Sequence, residues 1–200
     1  MTFEQLAERI EGTLVSRVPV VVAVCGYGGA GKSTLAERIR AHFGPDTTCV
    51  VGVDQLYGDK PMGPGILDQT NWPLLIEVLE AVRRGGRVRF TGKDSSGAPV
   101  PFDEDPPRLL VVEGVKLLQP RLMPLFDTSI WIDCPHPVAL RRAKARDRAQ
   151  GEGDAAIAEW DTHWGPIDAR YFAKYRPDLL ADAIYAGWND GMTSGFAQPG

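Results

Sequence analysis

The chain has 200 residues, 44% hydrophobic and 24% charged, with a formal net charge of −4. This length suits one domain whose core needs neither disulfides nor a structural metal, and its 22 Gly and 16 Pro fall short of a disordered composition. A net negative charge offers no bulk attraction to nucleic acid or to an anionic membrane surface, so neither is expected as a partner.

The most apolar run, Val18 to Cys25, is too short to cross a bilayer and contains Pro19. The N-terminus carries Glu4, Glu8 and Glu11 and lacks the basic start and apolar block of a secretion signal, so a cytoplasmic location is expected. Cys25, Cys49 and Cys134 are far apart and form no CxxC pair, and are expected as small apolar side chains. His42, His136 and His163 show no metal-ligand spacing.

In chain order, Thr2 with Gln5 reads as a capping box opening a helix with Phe3, Leu6, Ile10 and Leu14 on one face. Val18 to Val24 is a β-branched run without polar alternation, as expected of a strand covered on both faces. A glycine-rich turn, Gly26 to Gly31, leads to a helix from Ser33 to about Phe43 that Gly44 and Pro45 stop. Cys49 to Val53 predicts the second buried strand, and residues 58–71 an irregular loop. A helix is predicted from about Pro73 to Arg84, ended by Gly85 and Gly86. Val88 to Thr91 and the Asp94–Pro101 region read as short strands or a hairpin. Leu109 to Val112 and Thr128 to Ile132 are further buried strands, a basic helix follows from about Pro137 to Arg148, and another helix covers Ala155 to about Trp164. Ala183 to Tyr185 is expected as a last strand, before a loose tail over about residues 190–200. Strands of this kind alternating with helices describe a mostly parallel sheet covered by helices, and ligands of such sheets bind beyond the carboxyl ends of the strands.

Gly26-Tyr27-Gly28-Gly29-Ala30-Gly31-Lys32-Ser33 is the full G-x-x-x-x-G-K-[ST] pattern, set between a buried strand and a helix. A loop that wraps a phosphate must bring its N–H groups close, and glycine permits both the close approach and positive φ angles. The helix start adds unpaired N–H groups and a positive dipole end. Lys32 can bridge β- and γ-phosphates, and the Ser33 hydroxyl can ligate Mg²⁺.

Asp54 follows the second strand, where a carboxylate can accept the proton of an attacking hydroxyl or hold metal-bound water; it can equally be a turn-forming residue. Glu113 ends the third strand before Gly114, where an acid can complete a Mg²⁺ environment or be a plain surface charge. Asp133 reads as a turn or helix cap. The segment Arg141 to Arg148 holds five bases and one acid. Such a run can be a solvated helix face, or a lid that neutralises transferring phosphate and excludes water. Arg142 and Arg146 share one face of that helix.

These residues resemble the uridine kinase-like branch of P-loop small-molecule kinases, which also takes in phosphoribulokinase and pantothenate kinase relatives. The resemblance spans roughly Val20 to Tyr185. Gly26–Thr34 is similar to that branch's GxxGxGKST loop, Asp54-Gln55-Leu56-Tyr57 to its D-x-F-Y segment, and Asn71 to Leu75 to the start of the helix after the substrate loop. Val112-Glu113-Gly114 matches its hydrophobic-E-G motif, Arg142, Arg146 and Asp147 resemble its lid, and Leu180 to Ala183 its closing AD segment.

The resemblance implies a P-loop three-layer α/β sandwich over residues 1–200, with an arginine-bearing lid helix over about residues 136–155. It implies ATP held by Gly26, Gly28, Gly29, Ala30, Gly31, Lys32, Ser33 and Thr34, and Mg²⁺ held by Ser33 and Glu113. Asp54 is implied as the base, with Lys32, Arg142 and Arg146 also catalytic and Asp54, Tyr57 and Asp94 on the acceptor side. Three departures fall on that acceptor side: Lys93 precedes Asp94 where uridine kinases carry tyrosine, Gln150-Gly151-Glu152-Gly153 replaces an E-R-G-R-like stretch, and the segment between Tyr57 and Asn71 lacks the acidic-aromatic pattern. Their implication is a kinase of uridine kinase-like build with an altered acceptor site, acting on a hydroxyl of a small metabolite. Self-association stays open, since many members of this branch associate.

Two other readings stay open. One is a nucleotide-hydrolysing switch or assembly protein, against which stands the absence of an N-K-x-D guanine motif. The other is an antibiotic or secondary-metabolite phosphotransferase, for which Trp72, Trp160, Trp164 and Tyr171 can line an acceptor pocket or pack in the core.

Overall fold

The computed structural model describes residues 1–56, 65–68, 70–94 and 97–186. Its centre is a parallel sheet of five strands in the order β2-β5-β1-β6-β7. The strands are β1 (Val20–Cys25), β2 (Thr48–Gly52), β5 (Leu109–Gly114), β6 (Thr128–Ile132) and β7 (Ala183–Tyr185). Every residue of β1 and β6 is buried, and alternate side chains point to opposite faces, so both faces are covered. The covering helices include α1 (Phe3–Ser16), α2 (Lys32–Phe43) and α3 (Trp72–Arg83). They bury Leu6 and Ile10, Leu35 and Ile39, and Leu75, Leu79 and Val82.

Local chemistry places these elements close to where the sequence predicts them. Thr2 and Gln5 form both halves of the capping box of α1. Asn71 caps α3, its side-chain oxygen accepting from Leu74 N at 3.2 Å. The two short segments after α3 form the hairpin alternative: β3 (Val88–Lys93) pairs antiparallel with β4 (Pro99–Glu104), and Phe90 stacks on Phe102 at 4.8 Å. This hairpin is a separate two-stranded sheet.

The region after residue 150 differs most from expectation. The basic helix α4 (His136–Ala149) is present, followed by α5 (Asp154–Glu159), but the chain does not stop turning at Trp164. A π-helical turn over Trp160–Trp164 leads directly into α6 (Gly165–Tyr175), and α7 (Pro177–Leu180) precedes β7. The sequence reading ends this helix at about Trp164, just before Gly165-Pro166. In the structure Gly165 N donates to Trp160 O, an i→i−5 bond. The wider turn receives Pro166, which has no N–H to donate and would clash within a regular helix. Among the described residues no helix is long and apolar enough to cross a membrane.

Two carboxylates, the exposed Asp182 and the largely covered Asp127, tie the sheet to its surroundings. Asp182, in the AD segment, accepts from Ser129 N at 2.9 Å and Ser129 Oγ at 2.6 Å, clamping β7 to β6. Asp127 accepts from Val21 N at 2.8 Å, from Arg17 at 2.6 Å and from Arg83 at 3.3 Å, so one side chain joins the end of α1, the start of β1 and the end of α3. Replacing Asp127 with Ala leaves a buried N–H unpaired and should cost about 2–3 kcal/mol of stability. Urea unfolding measures it, and a loss below about 1 kcal/mol would show that the other contacts at this junction suffice.

Candidate active site

The phosphate loop joins β1 to α2. Gly29 (φ +84°) and Gly31 (φ +96°) take left-handed conformations that disfavour side chains, and Gly29 lies against the backbone of α4 at Ala139. Lys32 Nζ donates to Tyr27 O at 2.9 Å, folding the ammonium back across the loop. Ser33 and Thr34 are exposed in the first turn of α2.

Glu113 stands at the centre of the charged groups. Its register in β5 sets it opposite Val24 of β1 and Gly52 of β2. It therefore lies between the phosphate loop on one side and the turn after β2 on the other. Ser33 Oγ donates to Glu113 Oε1 at 2.8 Å. Burial pushes the Glu113 carboxyl up from the usual carboxylate range; Lys32, the Ser33 hydrogen bond and Arg146 pull it back, while Asp54 pushes it further up. One side chain thus feels Lys32, Ser33, Asp54 and Arg146 together.

Asp54 sits in a short 3₁₀ turn, Val53–Leu56, and is exposed. Close packing explains why this turn reaches Glu113. A Cβ on Gly114 would meet Val53 Cβ at 2.5 Å, so the glycine of the E-G pair lets the turn close onto β5. A Cβ on Gly52 would meet Asp54 Oδ1 at 2.5 Å and Glu113 Oε1 at 3.6 Å, so both carboxylates gather over a position without a side chain. Asp54 Oδ1 accepts from Gln55 N at 3.0 Å, and Gln55 Oε1 accepts from Gly52 N at 3.1 Å, which holds the turn.

The basic helix α4 brings Arg142 and Arg146 to this end of the sheet. Arg142 is half-buried, with Nη1 3.9 Å from Cys134 Sγ. Arg146 is exposed, and its Nε donates to Asp147 Oδ1 at 2.7 Å. Lys144 of the same run pairs with Asp161 at 2.5 Å.

The remaining candidates separate. Asp94 does not end a strand of the parallel sheet; it closes the β3–β4 hairpin, with Oδ1 accepting from Ala98 N at 3.1 Å. Tyr57 lies outside the described residues. Trp72 and Tyr171 are buried and donate to backbone carbonyls of Leu67 and Leu118 at 2.8 and 2.7 Å, which makes them packing groups. Trp160 and Trp164 are half-buried. All three cysteines are free thiols; Cys25 and Cys134 are buried, and Cys49 is half-buried on the edge strand. Asp133 N donates to Tyr185 O at 3.0 Å, in keeping with a turn residue. Among the described residues no group of three or more His, Cys, Asp or Glu could by itself hold a metal ion.

The sequence reading missed two charged groups beside the loop. Asp168, in α6, is 6% exposed and accepts from Gly28 N at 2.9 Å. Lys116, after β5, is 2% exposed and interacts electrostatically with Asp168. Asp168 lies beyond the helix expected to end near Trp164, where an acid carries no local signal of burial, and the positive φ of Lys116 (64°) has no signature in its residue type.

The chain matches no protein-family model. It is 28% identical over 142 residues to a uridine kinase of Clostridium perfringens, covering 64% of this chain and 68% of that protein. A uridine kinase of Shewanella baltica is 26% identical over 148 residues, 66% of this chain and 70% of that one. Among solved structures, a protein assigned as a fructose transport system kinase from Silicibacter superposes with a TM-score of 0.75 at 21% identity, over 93% of this chain and all of its own. A possible uridine kinase from Bacillus stearothermophilus superposes with a TM-score of 0.63 at 16% identity, over 91% of this chain and all of its own. Those structures share this chain's fold and the sequence likeness is to uridine kinases, so with its complete phosphate loop the chain is similar to the uridine kinase-like branch of the P-loop small-molecule kinases.

Proposed function

We propose that this kinase transfers the γ-phosphoryl group of ATP, with Mg²⁺, to a hydroxyl of a small metabolite at an acceptor site altered from that of uridine kinases. The observation that supports it most is the meeting of Ser33, Glu113 and Asp54 beyond the ends of β1, β5 and β2. The Ser33 hydroxyl and Glu113 carboxylate are hard oxygen donors 2.8 Å apart, a donor set that suits Mg²⁺ when phosphate oxygens and water complete the shell. MgATP, when bound, supplies the electrophilic phosphorus and part of the charge screening.

The chain's own residues do the rest. Lys32 exchanges its bond to Tyr27 O for phosphate oxygens, and the loop N–H groups hold the same phosphates. Asp54, exposed and adjacent, accepts the proton of the acceptor hydroxyl as that oxygen bonds to the γ-phosphorus. The bond from that phosphorus to the bridging oxygen breaks, and ADP leaves. Arg142 and Arg146 on α4 act as the lid, placing positive charge beside the transferring group and excluding water.

Packing supports placing the acceptor beside the Asp54 turn, where the hairpin meets it. A Cβ on Gly92 would meet Gln55 O at 3.0 Å, so β3 is seated on that turn. Asp94 follows two residues later, roughly 7 Å along the strand, and takes the substrate-side role. The relatives named above are uridine kinases, but Lys93 and the 150–153 stretch depart from the uridine kinase pattern. Uridine is accordingly one member of the panel to test rather than the assigned substrate.

A coupled ADP-release assay with MgATP against nucleosides, sugars, pantothenate-like alcohols and aminoglycosides should show stimulation by one class over an acceptor-free control. Acceptor-independent hydrolysis that nothing stimulates would instead indicate a switch protein. Asp54→Ala should lower kcat about 10²–10⁴-fold while changing MgATP affinity less than about threefold. Equal losses in both would remove Asp54 from the role of base. Lys32→Ala should weaken MgATP binding about tenfold or more and abolish turnover; unchanged affinity in a calorimetric titration would count against the loop assignment.

A further inference from the structure

Gly28 occupies a position of the phosphate loop where the G-x-x-x-x-G-K-[ST] pattern accepts any residue. Unlike Gly29 and Gly31 it does not have a positive φ, so its backbone alone does not oppose alanine. What opposes a side chain there is Trp160. A Cβ on Gly28 would lie 2.6 Å from Trp160 Cζ3 and 2.7 Å from Cη2, well inside the roughly 3.5–4.0 Å of carbon–carbon contact. The indole rests directly on the loop.

The same residue is held by its N–H. Gly28 N donates to Asp168 Oδ2 at 2.9 Å, and Asp168 is nine-tenths buried. Burial raises the Asp168 carboxyl, while the Gly28 hydrogen bond and then Lys116 and Lys32 act in the opposite direction. A carboxylate accepting an amide hydrogen bond at this depth makes a strong, charge-assisted contact. Trp160 is fixed in turn: its Nε1 donates to Asp147 Oδ2 at 2.6 Å, and Asp147 Oδ1 accepts from Arg146. Contacts therefore run from the lid arginine through Asp147 and Trp160 to Gly28, and from Gly28 to Asp168.

A loop with four glycines in eight residues has many conformations, few of which present its N–H groups to a phosphate. We propose that Asp168 and Trp160 are positioning residues for the nucleotide, clamping Gly28 by its N–H and its Cα so that the phosphate loop is held ready to bind. The proposal rests on the nucleotide reading of that loop. It accounts for the glycine at a position the motif leaves free, and for an acid buried in the first turn of α6.

Calorimetric titration of MgATP and MgADP into the full-length protein tests it without any acceptor. Gly28→Ala should weaken both nucleotides about tenfold in the wild-type background and less than about threefold in a Trp160→Leu background, because the clash is with the ring. Asp168→Ala should weaken binding about tenfold, and Asp168→Asn, which keeps an acceptor oxygen, should restore it to within about threefold of wild type. Thermal melting checks folding, since Asp168→Ala also removes the charge set against buried Lys116; if that variant does not fold, the Gly28–Trp160 pair decides. Wild-type binding with Gly28→Ala unaffected, or an equal loss in both Trp160 backgrounds, overturns the clamp while leaving the nucleotide site standing. A wild-type protein that binds neither nucleotide overturns the nucleotide site and the clamp with it.

Discussion

The arrangement of this molecule depends on β5 lying between β1 and β2 in one parallel register. Parallel strands deliver their carboxyl ends to the same edge of the sheet, so whatever follows each strand is gathered there. Because Glu113 aligns with Val24 on one side and Gly52 on the other, one carboxylate faces both the phosphate loop and the Asp54 turn. The burial that makes β1 and most of β5 apolar also lowers the solvent screening of that carboxylate. That is why its protonation responds to Lys32, Ser33, Asp54 and Arg146 together.

Small residues at the strand ends turn this register into contact. Gly114 admits Val53, and Gly52 leaves room for two carboxylates. The hydrophobic-E-G motif thus has two distinct physical parts: the glutamate faces Ser33, and the glycine lets the next turn approach. The far end of the sheet is secured differently, by carboxylates rather than by absent side chains. Asp127 holds the start of β1, and Asp182 holds β7 to β6. Rigid anchoring at one end and close approach at the other suit a site built from the residues that follow the strands.

Sequence identity to the relatives stays below 30%, whereas the fold likeness covers more than nine-tenths of the chain. The contrast has a physical origin. The sheet requires continuous apolar strands, which many combinations of Val, Ile and Leu supply. The phosphate loop requires backbone geometry that few sequences supply. In the proposed reading, acceptor contacts are side-chain specific, and Lys93 and the 150–153 stretch are where this chain departs from the uridine kinase pattern.

The amino-acid sequence by itself determined the strand–helix alternation, the capping of α1, the phosphate loop, and the places of Asp54 and Glu113 at strand ends. Each of these is encoded locally, in an apolar run, a cap or a motif of fixed spacing. The hairpin was legible as an alternative, with its ends displaced by a few residues. Only the tertiary structure decided that Gly165-Pro166 continues a helix through a π turn, that Asp94 closes a hairpin, and that Trp160 rests on Gly28 while Asp168 holds its N–H. These depend on residues more than a hundred positions apart meeting in space, or on a backbone register that no residue type announces. A buried acid in a helix has the same local sequence as an exposed one, and only the packing around it decides whether water or a phosphate loop is its partner.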